Sequence, residues 1–421
     1  MLEYWLWLAE RKRLKTSDAL RLLEQFQTPE GVYCAPEQDY GPLVPQAALA
    51  SLADKALESA RAIVRTCREK KIHILTLQDA AYPARLKSIP DPPLVLYYQG
   101  RLPAFDETPA IAMVGTRRAS VYGLVQAKRL GCQLSELGML VISGGAAGVD
   151  TLSLKGALSS GFGAAAVFGC GVDVTYPASN RALFDDLREN GCVLSEYPPG
   201  TPPLRENFPR RNRLLSGLSM GVVVVEAPKK SGALITAQYA LEQGRDVFTL
   251  PANLGSETAA GNLALLKQGA ILVTDGYDVL QEYTHLFPEL LSASASAPQV
   301  ELSQAELRQQ AQAAERAERR VAQTARKPAA PQAEVKSPGN DTNPIDKAPQ
   351  RAYIDLQEHF SELSEDERAV AHAIAQGPVQ IDIAAERAGL PAGRALAALT
   401  LLEVRGLAVQ LPGKVYAPAG K

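Results

Sequence analysis

Three arginines fall within four residues in Asn207-Phe208-Pro209-Arg210-Arg211-Asn212-Arg213. A guanidinium is a planar fork that pairs with phosphate oxygens and stacks on bases, so the run suits a nucleic-acid backbone. Asn212 would add polar contacts, and Phe208 supplies either a stacking face or, on the plainer reading, an inward-packed core ring. The competing account is an ion-paired loop. A second candidate is Val114-Gly115-Thr116-Arg117-Arg118-Ala119-Ser120, where a glycine at a strand end lets a ligand approach the backbone and two cations stand beside a helix start. Lys229-Lys230-Ser231-Gly232 is a third, because Ser231 can cap the helix that follows and leave free amides next to two lysines. The Gly-rich turn Ser143-Gly144-Gly145-Ala146-Ala147-Gly148-Val149-Asp150 is neither G-x-G-x-x-G nor a P-loop, and its Gly144, Gly145 and Gly148 suit close packing as well as phosphate contact.

These loops need a scaffold, and the chain offers one from Ala110 to about Leu280. There IAMV, MLVIS, AAAVF, CVLS, VVVV, DVFTL and ILV alternate with helix-length segments. Such alternation predicts a parallel sheet with helices on both faces, and all the cationic loops then lie at its carboxyl edge. Residues 1–100 read as a small helical domain, with a helix start at Thr16-Ser17-Asp18, an amphipathic run from Glu58 to Lys70 and a connection at Pro90–Pro93. Residues 101–287 then hold the sheet domain. Residues 288–352 read as a linker, since Pro288 to Ala352 contains no aromatic residue. Residues 353–421 read as a winged helix: a capping box at Ser364 and Glu367, a helix ended by Gly377, a second reaching Ala388, the Gly389-Leu390-Pro391 turn, a third stopped by Gly406, and two strands about Pro412-Gly413.

Composition narrows the chemistry. With 421 residues, 46% hydrophobic and 21% charged, the chain is an ordinary globular protein of several domains, and 44 basic against 46 acidic residues leave a net charge of −2. Any grip on nucleic acid must therefore be local. Five cysteines without a C-x-x-C pair indicate neither a disulfide framework nor zinc, and point to reducing cytoplasm. Met1 to Lys15 places its short apolar run ahead of its basic residues, the reverse of a secretory signal, and no membrane association is expected. The four histidines (73, 285, 359 and 372) all lie outside the predicted sheet, which excludes a His-based triad there. Asp150, Asp173, Glu196 and Glu226 remain as acids or bases, each with the plainer role of orienting a loop or pairing with arginine. No catalytic residue, cofactor or metal is called for.

The ordered motifs VGTRRASVYG, SGGAAGVD with GAL at 156–158, YPASN, SEYPPG, NFPRRNRLLSGLS and VVEAPKKSGALITAQYALEQGRDVF, preceded by YPARLKSIPDPPLVLYYQG from Tyr82, resemble the DNA-processing protein A (DprA/Smf) family over about residues 80–280. The resemblance implies an extended Rossmann-like domain that dimerises, binds single-stranded DNA in a basic pocket without a turnover reaction, and helps to load a RecA-type recombinase in natural transformation. It also implies a small helical first domain (SAM or helix-hairpin-helix-like) and a winged-helix tail. Arg117 matches the arginine that lines the family's DNA pocket. The sequence departs from the family pattern at Gly145 (usually Leu), Ser153-Leu154 (Ala-His), Ala252 (Gly) and Leu263 (Asn).

The expectation is thus an α/β chain that contacts single-stranded DNA through Gly115, Arg117, Arg118, Gly144, Gly145, Arg210, Arg211, Asn212, Arg213, Lys229, Lys230, Ser231 and Gly232. The enzymatic alternative is a nucleotide-binding or nucleotide-hydrolysing Rossmann protein, such as a nucleoside-monophosphate glycosidase. A third reading makes the winged helix a reader of duplex DNA. Against it, residues 353–421 carry nine acidic and six basic side chains, or −3, which repels phosphates and favours a protein-contact role.

Overall fold

The computed structural model describes residues 1–292, positions 308 and 312, and 363–418 apart from 376, 378, 405, 406 and 412–414. The proposed linker beyond residue 292, the Gly406 stop and the Pro412-Gly413 turn lie outside these. The chain forms two compact units, Met1–Ala329 and Ala330–Lys421.

In the first unit, helices α1 (Leu2–Ala9), α2 (Thr16–Phe26), α3 (Pro29–Cys34), α4 (Gln46–Ala53) and α5 (Glu58–Glu69) come first. They enclose Trp7, Leu22, Tyr40 and Leu52, all fully buried. Helix α2 begins where Thr16-Ser17-Asp18 predicts, the Asp18 carboxylate accepting from the Lys15 amide at 3.4 Å. The helical reading of residues 1–100 then needs correcting. Strand β1 (His73–Thr76), the short α6 (Ala84–Lys87) and strand β2 (Val95–Gly100) follow, with β1 antiparallel to β2 and β2 antiparallel to β6. The N-terminal segment therefore extends the central sheet, which is mixed at this edge.

The predicted strands are all present: β3 (Ala110–Val114), β4 (Leu140–Ser143), β5 (Ala164–Phe168), β6 (Cys192–Ser195), β7 (Gly221–Val224), β8 (Asp246–Thr249) and β9 (Ile271–Leu272), in the order β1-β2-β6-β5-β4-β3-β7-β8-β9. Every residue of β3 to β7 is buried. That is why these strands read as continuous apolar runs rather than as alternations. Between them run α7 (Val121–Glu136), α8 (Val149–Ser159), α9 (Arg181–Asn190), α10 (Asn207–Leu218), α11 (Gly232–Glu242), α12 (Ala260–Lys267) and, after β9, α13 (Gly276–Gln281).

The chain enters the parallel sheet at β3, steps outward through β4, β5 and β6, and returns to β7 on the other side of β3, with Val114 opposite Val224. A crevice opens at the carboxyl ends of the strands where the order reverses. Helices α7 and α8 meet backbone to backbone: a Cβ on Gly131 would lie 2.3 Å from Ser153 O, and one on Gly156 2.1 Å from Lys128 O.

The second unit contains α14 (Glu365–Ile374), α15 (Ile381–Ala388) and α16 (Ala392–Val404) beside a small antiparallel sheet of β10 (Val379–Gln380), β12 (Val415–Pro418) and β11 (Ala408–Leu411). Its core includes Val370, Ile374, Leu399, Leu402 and Tyr416. The capping box forms as read: Ser364 Oγ accepts from the Glu367 amide at 3.3 Å, and the Glu367 carboxylate accepts from the Ser364 amide at 2.8 Å. Gly389, at φ 64°, closes α15 in the left-handed conformation that favours glycine.

Candidate nucleic-acid interface

The loops after β3 and β7, the first turns of α10 and the Glu257-Thr258 segment enclose a cleft of about 1010 Å³. Its lining carries five basic side chains (Arg117, Arg118, Arg205, Arg211 and Lys230) against two acidic ones, Asp150 and Glu257. This excess of cations sits in a chain whose overall charge is −2.

Arg117 is half-buried, its guanidinium carbon 5.6 Å from the centroid of the Phe208 ring. Such a cation over an aromatic face is held electrostatically by the ring quadrupole. Phe208 corrects the inward-packed reading: half-buried, it lines the cleft and rests on Tyr176, with ring centroids 5.5 Å apart. Gly169 makes room for it, since a Cβ there would stand 3.1 Å from Phe208 Cδ1.

Arg211 forms the floor and is only 4% exposed. Its Nη1 donates to Val167 O, while its Nε has no hydrogen-bond partner among the described residues. Burial pushes the guanidinium down to about 10, opposed by Asp150 and reinforced by Arg117. The same burial raises the Asp150 carboxyl, opposed by Arg211; its Oδ2 accepts from the Ala146 amide at 3.3 Å.

The glycines divide by what a side chain would strike. At Gly144 a Cβ would fall 2.2 Å from Arg211 Nη1, so this residue is a seat for the buried guanidinium and does not line the cleft. Gly145, at φ +69°, is buried against Phe184 and Phe168 and is likewise absent from the lining. Both depart from the phosphate-contact reading. A Cβ on Gly148, at φ +83°, would lie 2.5 Å from Thr116 O and 2.7 Å from Arg117 O, so the second Gly-rich loop presses against the backbone that carries Arg117. Gly115 lines the cleft and is crowded by Val149 and Glu226 O. At Gly232 nothing stands within 4 Å. There the amino end of α11 opens into the cleft, with Ser231 Oγ accepting from the Ala233 amide at 3.3 Å and Lys230 exposed beside it.

The arginine run is split between environments. Arg211 and Asn212 face the cleft, and Asn212 Nδ2 donates to Gly232 O at 3.2 Å. Arg213 does not: it is 4% exposed and donates to Glu196 at 3.0 and 2.7 Å and to Asp91 Oδ2 at 2.9 Å. Burial lowers its affinity for a proton, but the two carboxylates outweigh that and hold its pKa up. Arg210 points to another groove, its Nε 3.9 Å from Glu196 Oε1. Lys229 is exposed outside the lining. Arg205, which sequence reasoning did not single out, completes the rim; only its position two residues before the Asn207 run hinted at it.

The carboxylates considered as acids or bases are held in structural bonds. Glu226 accepts from the Ser120 amide at 2.8 Å and from Thr258 Oγ1, and Gly123 leaves the space it occupies. Asp173 pairs with Lys70 at 2.5 Å and accepts from the Gly200 amide at 2.8 Å, and Glu196 pairs with Arg213. No group of histidine, cysteine or acidic residues suited to a metal ion occurs among the described residues. None of their helices is long and apolar enough to cross a membrane. Leu263 departs from the family asparagine, but the neighbouring Asn262 is buried and ties down the end of β7, accepting from the Ala227 amide at 2.8 Å and donating to Val225 O at 2.9 Å.

The family profile described as DNA recombination-mediator protein A matches residues 73–284, half of the chain, and that of the DprA winged helix domain matches 359–414. The chain belongs to the DNA recombination-mediator protein A family. It is 41% identical over 214 residues to the DNA processing protein DprA of Streptococcus pneumoniae, covering 51% of this chain and 75% of that protein. It is 43% identical over 209 residues to Protein Smf of Synechocystis, covering 49% of this chain and 52% of that protein, so the match spans about half the length of this relative. The X-ray structure of the S. pneumoniae DprA superposes with a TM-score of 0.59 at 34% identity, covering 67% of this chain and 98% of that one. DprA-family membership places the chain among proteins of DNA processing and recombination. The cleft described above lies within the matched residues.

Proposed function

We propose that the cleft holds single-stranded DNA without sequence preference and that the chain, as a cytoplasmic homodimer, delivers the strand to a RecA-type recombinase, natural transformation being one setting. The observation that carries this reading is Arg117 stacked over Phe208 in a cation-rich cleft at the sheet's reversal point. Charge and a π face are what every nucleotide recognises, and neither reads base identity. Affinity then falls steeply with salt, because each neutralised phosphate releases counterions. In fluorescence anisotropy, Arg117→Ala weakens binding of homopolymer and mixed-sequence oligonucleotides alike. Parent-like affinity of that variant at low salt overturns the reading.

Delivery is tested by the rate at which the recombinase assembles on a strand with and without the protein, and dimerisation by sedimentation. On the enzymatic alternative the acting carboxylate would be Glu257, which is exposed in the cleft lining, since Glu226 is engaged by Ser120 and Thr258. Chromatography that detects free base released from nucleotides would establish turnover. In the winged helix, Arg394 on α16 pairs with Asp366 at 2.9 and 2.7 Å, and the −3 charge of residues 353–421 fits a protein-contact role better than duplex reading. Duplex footprinting checks this.

A further inference from the structure

Arg210 and Arg211 are consecutive on α10, yet Arg211 enters the cleft while Arg210 lines a separate groove of about 310 Å³. The far wall of that groove is the α1–α2 connection, including Leu14 and Lys15, with Thr16 at the start of α2; Tyr197 and Pro198, just past the carboxyl end of β6, complete it. Cleft and groove thus open along the same edge of the parallel sheet, with the first turn of α10 between them. The α1–α2 connection carries Arg11-Lys12-Arg13-Leu14-Lys15, and Lys12, Arg13 and Lys15 are exposed. Their side chains make no ion pair among the described residues.

The two carboxylates in the groove wall are engaged: Glu196 chiefly with the buried Arg213 at 2.7 Å and more distantly with Arg210 at 3.9 Å, and Glu10 with Ser59 Oγ at 3.1 Å. From this placement we infer that the groove is a second contact for the same strand of single-stranded DNA, which leaves the cleft across α10, lays its phosphates against Arg210 and Lys15 of the lining, and continues past the exposed Lys12 on the same connection. The inference rests on the cleft reading and extends its footprint to a domain that reading leaves unused. Tyr197 and Pro198 supply an apolar wall beside the phosphates. The cations of the α1–α2 connection that make no ion pair among the described residues, on the same sheet edge as the cleft, favour a polynucleotide over an acidic protein segment.

The test uses the full chain with oligo-dT probes of about six and about twenty-four nucleotides, spanning the usual range of single-strand site sizes. Lys12→Ala/Lys15→Ala removes two exposed charges outside the cleft. On the long probe, the slope of log affinity against log salt becomes shallower by about 1.4, or about sevenfold less loss of affinity between 50 and 200 mM salt. On the short probe, affinity and slope stay those of the parent, and Lys12→Arg/Lys15→Arg restores the parental slope on the long one. A parental slope for the double alanine variant on the long probe overturns the inference, as does failure of the arginine pair to restore it. If Arg117→Ala also binds the short probe like the parent, the cleft reading itself has failed. If Arg117→Ala loses the short probe while the lysine variant changes nothing, only the groove is refuted.

Discussion

The loop after β3 and the start of α10 both carry adjacent arginines, but they use them differently. On the β3 loop, Arg117 lies half-buried over an aromatic ring and Arg118 is exposed, both lining one cleft. On α10, three arginines within four residues meet three environments: a groove for Arg210, a buried seat for Arg211 and a carboxylate clamp for Arg213. Helical geometry turns Arg211 away from Arg210, since successive residues are about 100° apart around the axis, whereas Arg210 and Arg213, three apart, share a face on which Arg213 is the one that closes on Glu196. Density of charge along a chain is therefore a poor measure of charge presented at one surface.

This contrast is most exposed to refutation at Arg213. Arg213→Ala leaves Glu196, with 7% of its side chain exposed, buried without its main partner. It should cost about 3–5 kcal/mol in chemical denaturation. A variant that unfolds like the parent but loses DNA would return Arg213 to the interface. Next comes the seat of Arg211: Gly144→Ala places a methyl group on the guanidinium and costs about 1–3 kcal/mol, whereas Gly232→Ala, in open space, leaves the unfolding midpoint in place. Equal effects of the two would show that Gly144 holds no such seat.

At the stack, Phe208→Ala lowers affinity for single strands by about 1–3 kcal/mol in anisotropy titrations. Its loss should be independent of base composition; a loss confined to one base would point to sequence reading. The smallest effect is expected between the paired lysines. Lys230→Ala makes the salt slope shallower by about 0.7, while Lys229→Ala, outside the lining, leaves it unchanged.

Much of the scaffold was legible because strands covered on both faces leave unbroken apolar runs, as in Ala110–Val114 and Gly221–Val224. Strands β1 and β2 were not, because HILT and VLYYQG flank a proline-rich connection in an otherwise helical region and pair antiparallel at the sheet edge. Arg117 was identified from its place at a strand end. The fate of Arg213 was hidden because its partners stand 17 and 122 residues earlier in the chain. Local sequence also left Gly144 ambiguous, since only the packed structure brings Arg211 against it. For Phe208, burial is partial, and a binary choice between core and surface had no place for a ring that is both wall and platform.

The direct backbone contact of α7 with α8 has a consequence for the ligand. Each helix is preceded by one of the loops at the cleft, so the pair acts as a rigid mount, and the distance between those loops is inherited from a joint no nucleotide touches. Gly156 lies about 12 Å along α8 from Gly148. A methyl group there would pry the mount apart and retune the grip from behind. On the proposed reading, affinity for a strand is therefore set from this remote joint as well as from the residues at the mouth.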